Sequence, residues 1–406
     1  MNKIDRRSFI KLASMLGVTA ALPSLLTACD AEPETAVAPP VNSSAASSHT
    51  VLIIGAGAAG MSAAYLLTQQ GIDCQILEAA PTYGGRIKRT DTFADFPIPL
   101  GAEWLHVEEG ELQKIVNDDS VGVATEIVAY GPEAMAGYYE EGELYTEELT
   151  DSDLKFVDST WFDFYDSYIV PSIADKMRFN TQITRVAYDE TGVELTDQNG
   201  ETYEATQLIV AVPLKILQDG DITFAPPLPS NKQEAIAEAN IWGGIKVFLE
   251  FSEQFYPTAL SLPENMTNTG QQLYYDAAYG QDTDKHILGL FAVGSKAEPY
   301  QALDPATAVR DYILAELDEV FNGRATKTYV KHIVQNWNEE PFIRAAYYAD
   351  SADWLLPPVF SEPVDDKLFF AGTAFTNGND WGGVHNAAQS ARDAVELVLG
   401  YPVMSE

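Results

Sequence analysis

A chain of 406 residues, 46% of them hydrophobic, is long enough to bury a large core and divides most simply into two interleaved domains. Its 60 acidic residues outnumber its 24 basic ones, and the resulting formal charge of −36 excludes nucleic acid as a partner. A charge of that sign is either a solvated acidic surface or a field that gathers cationic small molecules. No internal repeat is apparent.

Residues 1–28 stand apart from the fold. Asp5-Arg6-Arg7-Ser8-Phe9-Ile10-Lys11 resembles a twin-arginine export signal, and Leu12 to Leu26 follows as a modestly apolar run. That run carries Ser, Thr, Gly and Pro and is short for a permanent spanning helix. Leu26-Thr27-Ala28-Cys29 resembles a bacterial lipobox, which makes Cys29 the lipidated first residue; an ordinary cleaved signal with an incidental cysteine is the alternative. Asp30 resembles an inner-membrane retention signal, and the rest of 29–49, rich in Ala, Pro, Ser and Thr, reads as a disordered tether. The expectation is export by the twin-arginine route and a lipid anchor on Cys29 at the periplasmic side of the inner membrane. Loss of Lys3, Arg6, Arg7 and Lys11 together with Asp5 takes the charge from −36 to −39. Cys74 is then the one remaining cysteine, so no internal disulfide is possible, and its place in a strand reads as a buried hydrophobe.

Val51 to Ile54 is a short apolar, β-branched run of the kind that forms a buried parallel strand. It breaks at Gly55, Gly57 and Gly60, a G-x-G-x-x-G, before an amphipathic segment with Met61, Ala64, Tyr65 and Leu67 at helical spacing. The first glycine permits the tight turn, the second the approach of a diphosphate, and the third the close packing of helix on strand. The helix N-terminus then offers free N–H donors to the anion. A second strand, Cys74–Leu77, ends in Glu78, eighteen residues past the last glycine, where an acid can accept from a ribose hydroxyl. This is a dinucleotide site. Gly84-Gly85-Arg86 follows, with an arginine placed to neutralise a diphosphate.

Farther on, helices are expected around Glu111–Asn117 and Asp153–Tyr168, within an acidic, aromatic insertion at 108–175. Met177–Asp189, Gly192–Thr196 and Thr202–Val212 read as strands, Lys232–Ala239 as a helix, and Gly244–Phe251 and His286–Val293 as strands. Asp304–Phe321 reads as a helix capped by Asp304. The tail returns to the opening pattern, with a strand at Lys367–Phe370, Gly372 and Thr373, a loop, and a helix from about Asn386 to Leu399. The fold class that follows is α/β: a discontinuous Rossmann-like domain from 50–110, 172–233 and 362–400, interleaved with an α+β domain with a mixed sheet from 111–171 and 234–361.

VLIIGAGAAG with Glu78, GGR at 84–86, LGAEWLH at 100–106, LIVAVPLKIL at 208–217 and ITFAPPLP at 222–229 recur in one order with IKVFLEF at 245–251, NWNEEPFIRAAYY at 336–348 and FFAGT…WGGVHNAA at 369–388. Together they are similar to the flavin-dependent amine oxidase family, the monoamine and polyamine oxidases and their relatives. The resemblance implies an FAD domain beside a substrate domain. It also implies oxidation of an amine to an imine, hydrolysed to an aldehyde, with O₂ reoxidising the flavin to give H₂O₂. Polyamines or other primary amines are the favoured substrates, and a membrane quinone is the alternative electron acceptor. The family's pattern assigns the cofactor to Gly55, Gly57, Ala58, Ala59, Gly60, Glu78, Ala79, Gly85 and Arg86. It adds Gly101, Ala102, Glu103 and Trp104, then Ile183 and Val212, and in the tail Gly372, Thr373, Val384 and His385. Lys246 falls where the family has a lysine holding a water near flavin N5; spacing alone makes it a solvent-facing strand residue. Trp337 and Tyr347 fall at the flavin face and channel, and His106 near the cationic substrate, although each is otherwise an ordinary core aromatic or structural histidine.

The departures carry information as well. No cysteine lies near Ala346, so FAD is expected to be non-covalent, and no metal is implied. Gly383 or Val384 stands at the second aromatic-cage position, Thr373 replaces the usual acid, and Ala80 and Thr82 replace common arginines. Other readings keep the fold: an L-amino acid oxidase clamping a carboxylate through Arg344 or Arg178, another FAD oxidoreductase or dehydrogenase acting on a different compound, and a non-catalytic flavoprotein.

Overall fold

The structure is a computed structural model and describes residues 50–349, 356–376 and 382–403. The expected export signal, lipobox and tether lie outside the described residues.

Five parallel strands form the first sheet, in the order Leu368–Phe370, Gln207–Val210, Thr50–Ile54, Asp73–Leu77, Met177–Arg178. Side chains alternate across its central strand, and both faces are covered. Val51 and Ile53 pack with Met61, Ala64 and Leu67 of the helix Ala58–Gln69 and with Ala387, Ala391 and Val395 of the helix Val384–Leu399. Leu52 and Ile54 face the other way, onto Ile183, Val186 and Leu195 of a four-stranded sheet. The α/β expectation is what the structure shows, and the tail repeats the opening pattern in the same sheet: its strand Leu368–Phe370 pairs with Gln207–Val210, and its helix Val384–Leu399 packs against the helix Ala58–Gln69. A cofactor-side unit is thus assembled from distant stretches of the chain.

The large sheet is mixed. Its path runs Tyr329–Asn336, Gly244–Phe251, His286–Gly294, Gly270–Asp276, Ala259–Ser261, Met135–Glu140, Glu143–Glu148, and only Ala259–Ser261 with Met135–Glu140 is parallel along it. Val247 and Leu249 of the strand Gly244–Phe251 meet Ile313, Leu317 and Phe321 of the helix Ala306–Phe321. Phe248, on the opposite face, meets Phe93, Phe96, Ile98 and Leu100. This strand is therefore buried on both faces along its whole length. Lys246 shares the Phe248 face and is turned inward toward the segment that ends in Glu103.

Several elements differ from expectation for local reasons. Thr202–Val212 is not one strand: Thr202–Ala205 joins the four-stranded sheet and Gln207–Val210 the parallel one. Between them Thr206 Oγ1 donates to Thr50 O at 2.6 Å and accepts from Thr50 N at 3.2 Å, which turns the chain. Met177–Asp189 divides likewise, around Asn180 at a φ of 56°. Asp153–Tyr168 opens not as a helix but as the strand Leu154–Phe156, paired with Ile127–Ala129; the helix waits until Trp161, where Thr160 Oγ1 accepts from Asp163 N. Asp304 caps nothing, because Pro305 holds the N-cap position of Ala306–Phe321. Of 111–171, residues 135–148 enter the large sheet, whereas Leu112, Ile115, Trp161 and Phe164 pack in the core around the helix Ala58–Gln69.

Candidate active site

A cavity of about 1730 Å³ lies against the C-terminal ends of the parallel strands and extends to the large sheet. Gly55, at a φ of +102°, ends the first strand, and a Cβ there would stand 2.7 Å from Ala211 O. A Cβ on Gly60 would come within 1.9 Å of Gly55 O, so the helix Ala58–Gln69 can seat on the turn only without one. Gly60 packs rather than lines. Gly57 caps the helix with extended backbone, no side chain bonds the first turn, and a Cβ there would meet nothing within 4 Å. The first-turn N–H groups of that helix are thus left for a ligand.

Glu78 is bound on both oxygens by the chain itself, Oε2 accepting from Ala56 N at 2.5 Å and Oε1 from Ala80 N at 2.8 Å. Burial pushes its carboxyl up, and those N–H groups pull it back. Each oxygen keeps a further lone pair for a ribose hydroxyl. Arg86 is half-buried in the cavity wall, and desolvation lowers its guanidinium to about 10. Its Nη1 donates to Ala346 O at 2.5 Å and its Nη2 to Thr373 Oγ1 at 3.4 Å. Among the described residues no carboxylate lies within ion-pair distance of it. A partly desolvated cation without a described counter-ion, beside an open helix N-terminus, fits the diphosphate of a dinucleotide. Ala58, Ala59, Ala79, Gly85, Gly101, Ala102, Trp104, Ile183, Val212, Gly372, Thr373 and Val384 all border the same cavity; His385 does not. Val384 opens the helix Val384–Leu399, whose N-cap Gly383 is fixed by a bond from its N–H to Asn386 Oδ1 at 2.9 Å.

At the other end the cavity meets Glu103, Trp104, His106, Lys246, Trp337 and Tyr347. Trp337 Nε1 donates to Leu100 O at 3.1 Å, and the Tyr347 ring lies 6.4 Å from that of Trp242. Lys246 is 3% exposed. Its Nζ donates to Glu103 Oε2 at 2.7 Å and to Pro99 O and Gly101 O at 3.1 Å each, three acceptors for the three donors of an ammonium. A water bound by Lys246 must therefore displace one of them. Burial lowers the Lys246 ammonium and Glu103 opposes that shift. For Glu103, burial raises the carboxyl, but Lys246 and Lys155 outweigh it and leave it ionised and below its ordinary range.

His106 Nδ1 is paired with Asp153 Oδ2 at 2.9 Å. Asp151, on the same wall, is raised by burial and then by Asp153. The aspartates, Tyr130, Trp242, Tyr275 and Lys155 were not legible as site residues. Lys155 had one signal, an apolar–Lys–apolar triplet in Leu154-Lys155-Phe156 that parallels Ile245-Lys246-Val247. Arg178 is bound to Glu201 at 2.7 Å, and Arg344 pairs with Asp219 at 3.3 Å and with Asp221; neither arginine borders the cavity.

Comparison with known proteins agrees with this geometry. The family described as flavin containing amine oxidoreductase matches residues 166–399, and an NAD(P)-binding Rossmann-like domain matches 53–118. Polyamine oxidase 4 of Oryza sativa subsp. japonica is 24% identical over 448 residues, covering 88% of this chain and 90% of the rice protein. Polyamine oxidase 2 of Arabidopsis thaliana is 24% identical over 465 residues, with 88% and 92% covered. Among solved structures, putrescine oxidase bound to putrescine superposes with a TM-score of 0.70 at 16% identity, covering 87% of this chain and 99% of that one. Cys74 is buried in its strand away from the cavity wall, in keeping with a flavin held without a covalent link. With more than half its length matched by one family, and a wall whose open helix N-terminus and Arg86, without a carboxylate partner among the described residues, fit FAD, the chain belongs to the flavin-containing amine oxidoreductases.

Proposed function

We propose that the chain oxidises di- or polyamines, with O₂ as the acceptor that regenerates the cofactor and yields H₂O₂. The observation that carries the substrate class is the charge of the wall. Where segments 130–153 and 259–273 line the cavity they contribute Glu140, Asp151, Asp153 and Glu264, and among these described residues no lysine or arginine. FAD, when bound, supplies the two-electron acceptor for a hydride equivalent from the carbon beside the amine nitrogen. An alkylammonium has no lone pair with which to assist that loss, so the reacting nitrogen must be neutral. The acids hold a second, charged nitrogen, and the Asp153–His106 pair fixes part of that wall. Trp337 and Tyr347 give the reacting end an aromatic, water-poor lining. The N-terminus of the helix Val384–Leu399 supplies positive potential where negative charge arrives.

An amino acid substrate would need a free cation for its carboxylate. The described cations on the wall are Arg86, Lys215 and Lys246; Lys215 is held by Asp219 at 2.6 Å and Lys246 by Glu103, while Arg86 stands at the diphosphate. Anaerobic mixing of the FAD-loaded chain with putrescine, spermidine, monoamines and amino acids tests this. Di- and polyamines should bleach the flavin absorbance. Bleaching by an amino acid alone, or by nothing in the panel, overturns the reading. Peroxide formed on admitting air supports O₂, and quinone reduction without peroxide opposes it.

The motifs at 5–11 and 26–29 support export by the twin-arginine route and anchoring at the periplasmic side of the inner membrane. Cys29→Ala should move the protein from the membrane fraction to the soluble one with its flavin reactivity unchanged. Retention in the membrane contradicts the anchor.

A further inference from the structure

Lys155 helps keep Glu103 ionised but has no role in the reaction as described so far, and it does not border the cavity. Its side chain is nevertheless 3% exposed, and a lysine is rarely buried so completely without a partner. Its Nζ donates to Asp276 O and Ala277 O, each at 3.1 Å, and lies 3.5 Å from Glu103 Oε1. The other carboxylate oxygen, Oε2, takes the bond from Lys246 Nζ at 2.7 Å and also accepts from the Tyr275 hydroxyl. One carboxylate therefore stands between two ammonium groups, all three buried. A further buried acid, Asp276, has its carboxylate on Ala278 N and Gln254 Nε2; it feels the charge of Lys155 but among the described residues makes no ion pair with either lysine, and it does not border the cavity.

The distribution matters because of where its two ends lie. Lys246 and Glu103 are on the cavity wall, next to Gly101, Ala102 and Trp337; Lys155 is behind them. A Glu103–Lys246 pair alone would be neutral as seen from the cavity. The second ammonium draws on the same carboxylate, so that Glu103 is divided between two positive charges, and the acid that also feels Lys155, Asp276, is off the cavity wall. In a buried, weakly screened setting a positive charge acts over several ångströms. Two-electron reduction of a flavin with transfer of one proton leaves a negative charge on the ring system, which a nearby positive charge favours.

We propose that Lys155 is a positioning residue for flavin reduction: by drawing on the carboxylate that holds Lys246, it adds positive charge behind the Glu103–Lys246 pair on the cofactor-facing wall, which favours the reduced cofactor. This rests on the reading that the flavin ring lies at the Lys246 end. Lys155 acts through Glu103 and touches neither cofactor nor substrate.

The test is the flavin midpoint potential of the full chain loaded with FAD, measured by equilibrium against a reference dye. Lys155→Met removes one positive charge, and its flavin should be at least tenfold harder to reduce at equilibrium, a fall of about 30 mV for a two-electron couple. Lys155→Arg should retain the wild-type potential. The double variant Lys155→Met/Glu103→Gln restores the local charge, and its potential should return toward wild type; a merely structural defect would deepen with the second change. If Lys155→Met does not fold, the comparison is made from the other side. Lys246→Met should lower the potential, and Lys246→Met/Glu103→Gln, with Lys155 as the remaining charge, should recover it. An unchanged potential in the single variants, or no recovery in the doubles, overturns the proposal. A chain that takes up no FAD overturns the parent reading with it, whereas one that binds FAD and is bleached by amines, yet keeps its potential in Lys155→Met, overturns this inference alone.

Discussion

Arg86, half-buried, and Lys246, buried, are both cations on the wall of one cavity, yet the structure satisfies them in opposite ways. Lys246 commits all three N–H donors to Glu103, Pro99 and Gly101, and is a closed site. Arg86 has a backbone carbonyl and a threonine hydroxyl, and among the described residues no carboxylate. Desolvating a guanidinium without a counter-ion is costly unless an anion completes it. Completion from outside thus separates the two ends of the cavity: the end at Arg86 is left for a ligand to finish, as a diphosphate would, and the far end is finished by the chain itself. Thr373 contributes to this contrast, since the residue in place of the family's usual acid gives Arg86 a hydroxyl rather than a charge.

The contrast breaks first at Glu103. Its removal strands two buried ammonium groups, so Glu103→Ala should cost about 3–5 kcal/mol of stability with or without FAD, read from urea unfolding. A loss under about 1 kcal/mol would show that the cluster is not closed as described. Arg86→Met should do the reverse. It should weaken FAD about a hundredfold, on the order of 2.7 kcal/mol, and leave the FAD-free chain as stable as before or more so. Equal destabilisation of the FAD-free chain would make Arg86 a structural residue. Fluorescence titration with FAD and thermal unfolding of the same samples separate these outcomes.

Another buried cation, Lys232, sharpens the comparison because among the described residues it has no carboxylate within ion-pair distance. Lys232 Nζ donates to Val359 O at 2.5 Å and Phe360 O at 2.8 Å and lies 4.3 Å from the centre of the Phe370 ring. Burial lowers it to about 8, only partly opposed by Glu362. The folded value lies below that of the unfolded chain, so between pH 8 and about 10 the unfolded chain binds the extra proton. Stability due to Lys232 therefore rises with pH through that window, by at most about 1.4 kcal/mol per unit, and its full cost is present below it. The stability difference between wild type and Lys232→Met should climb from pH 8 to pH 10. A flat difference would contradict the burial of this group as a cost.

The two ends of the cavity also differed in how far they could be read from sequence. At the diphosphate end the chemistry is local: Gly55, Gly57, Gly60 and Glu78 fall within one strand–helix–strand unit, and backbone geometry demands glycine at Gly55 and Gly60. The far end is assembled from distant stretches, with Glu103 and Lys246 143 positions apart and His106 and Asp153 47 apart. Alternation of polar and apolar residues gives no guide to where Lys246 points, because the strand Gly244–Phe251 has no solvent face. The division of Thr202–Val212 turns on a side-chain bond from Thr206 to a strand more than 150 positions away, which no local propensity contains. Lys155 was concealed by a helix expectation over what is a strand.

The central claim is that this cavity is completed by FAD. The most direct measurement is the flavin released when the purified chain, incubated with FAD and freed of excess, is precipitated with acid. The account predicts close to one FAD per chain in the supernatant and a colourless pellet. A chain that retains no flavin, or a pellet that stays yellow, would contradict it.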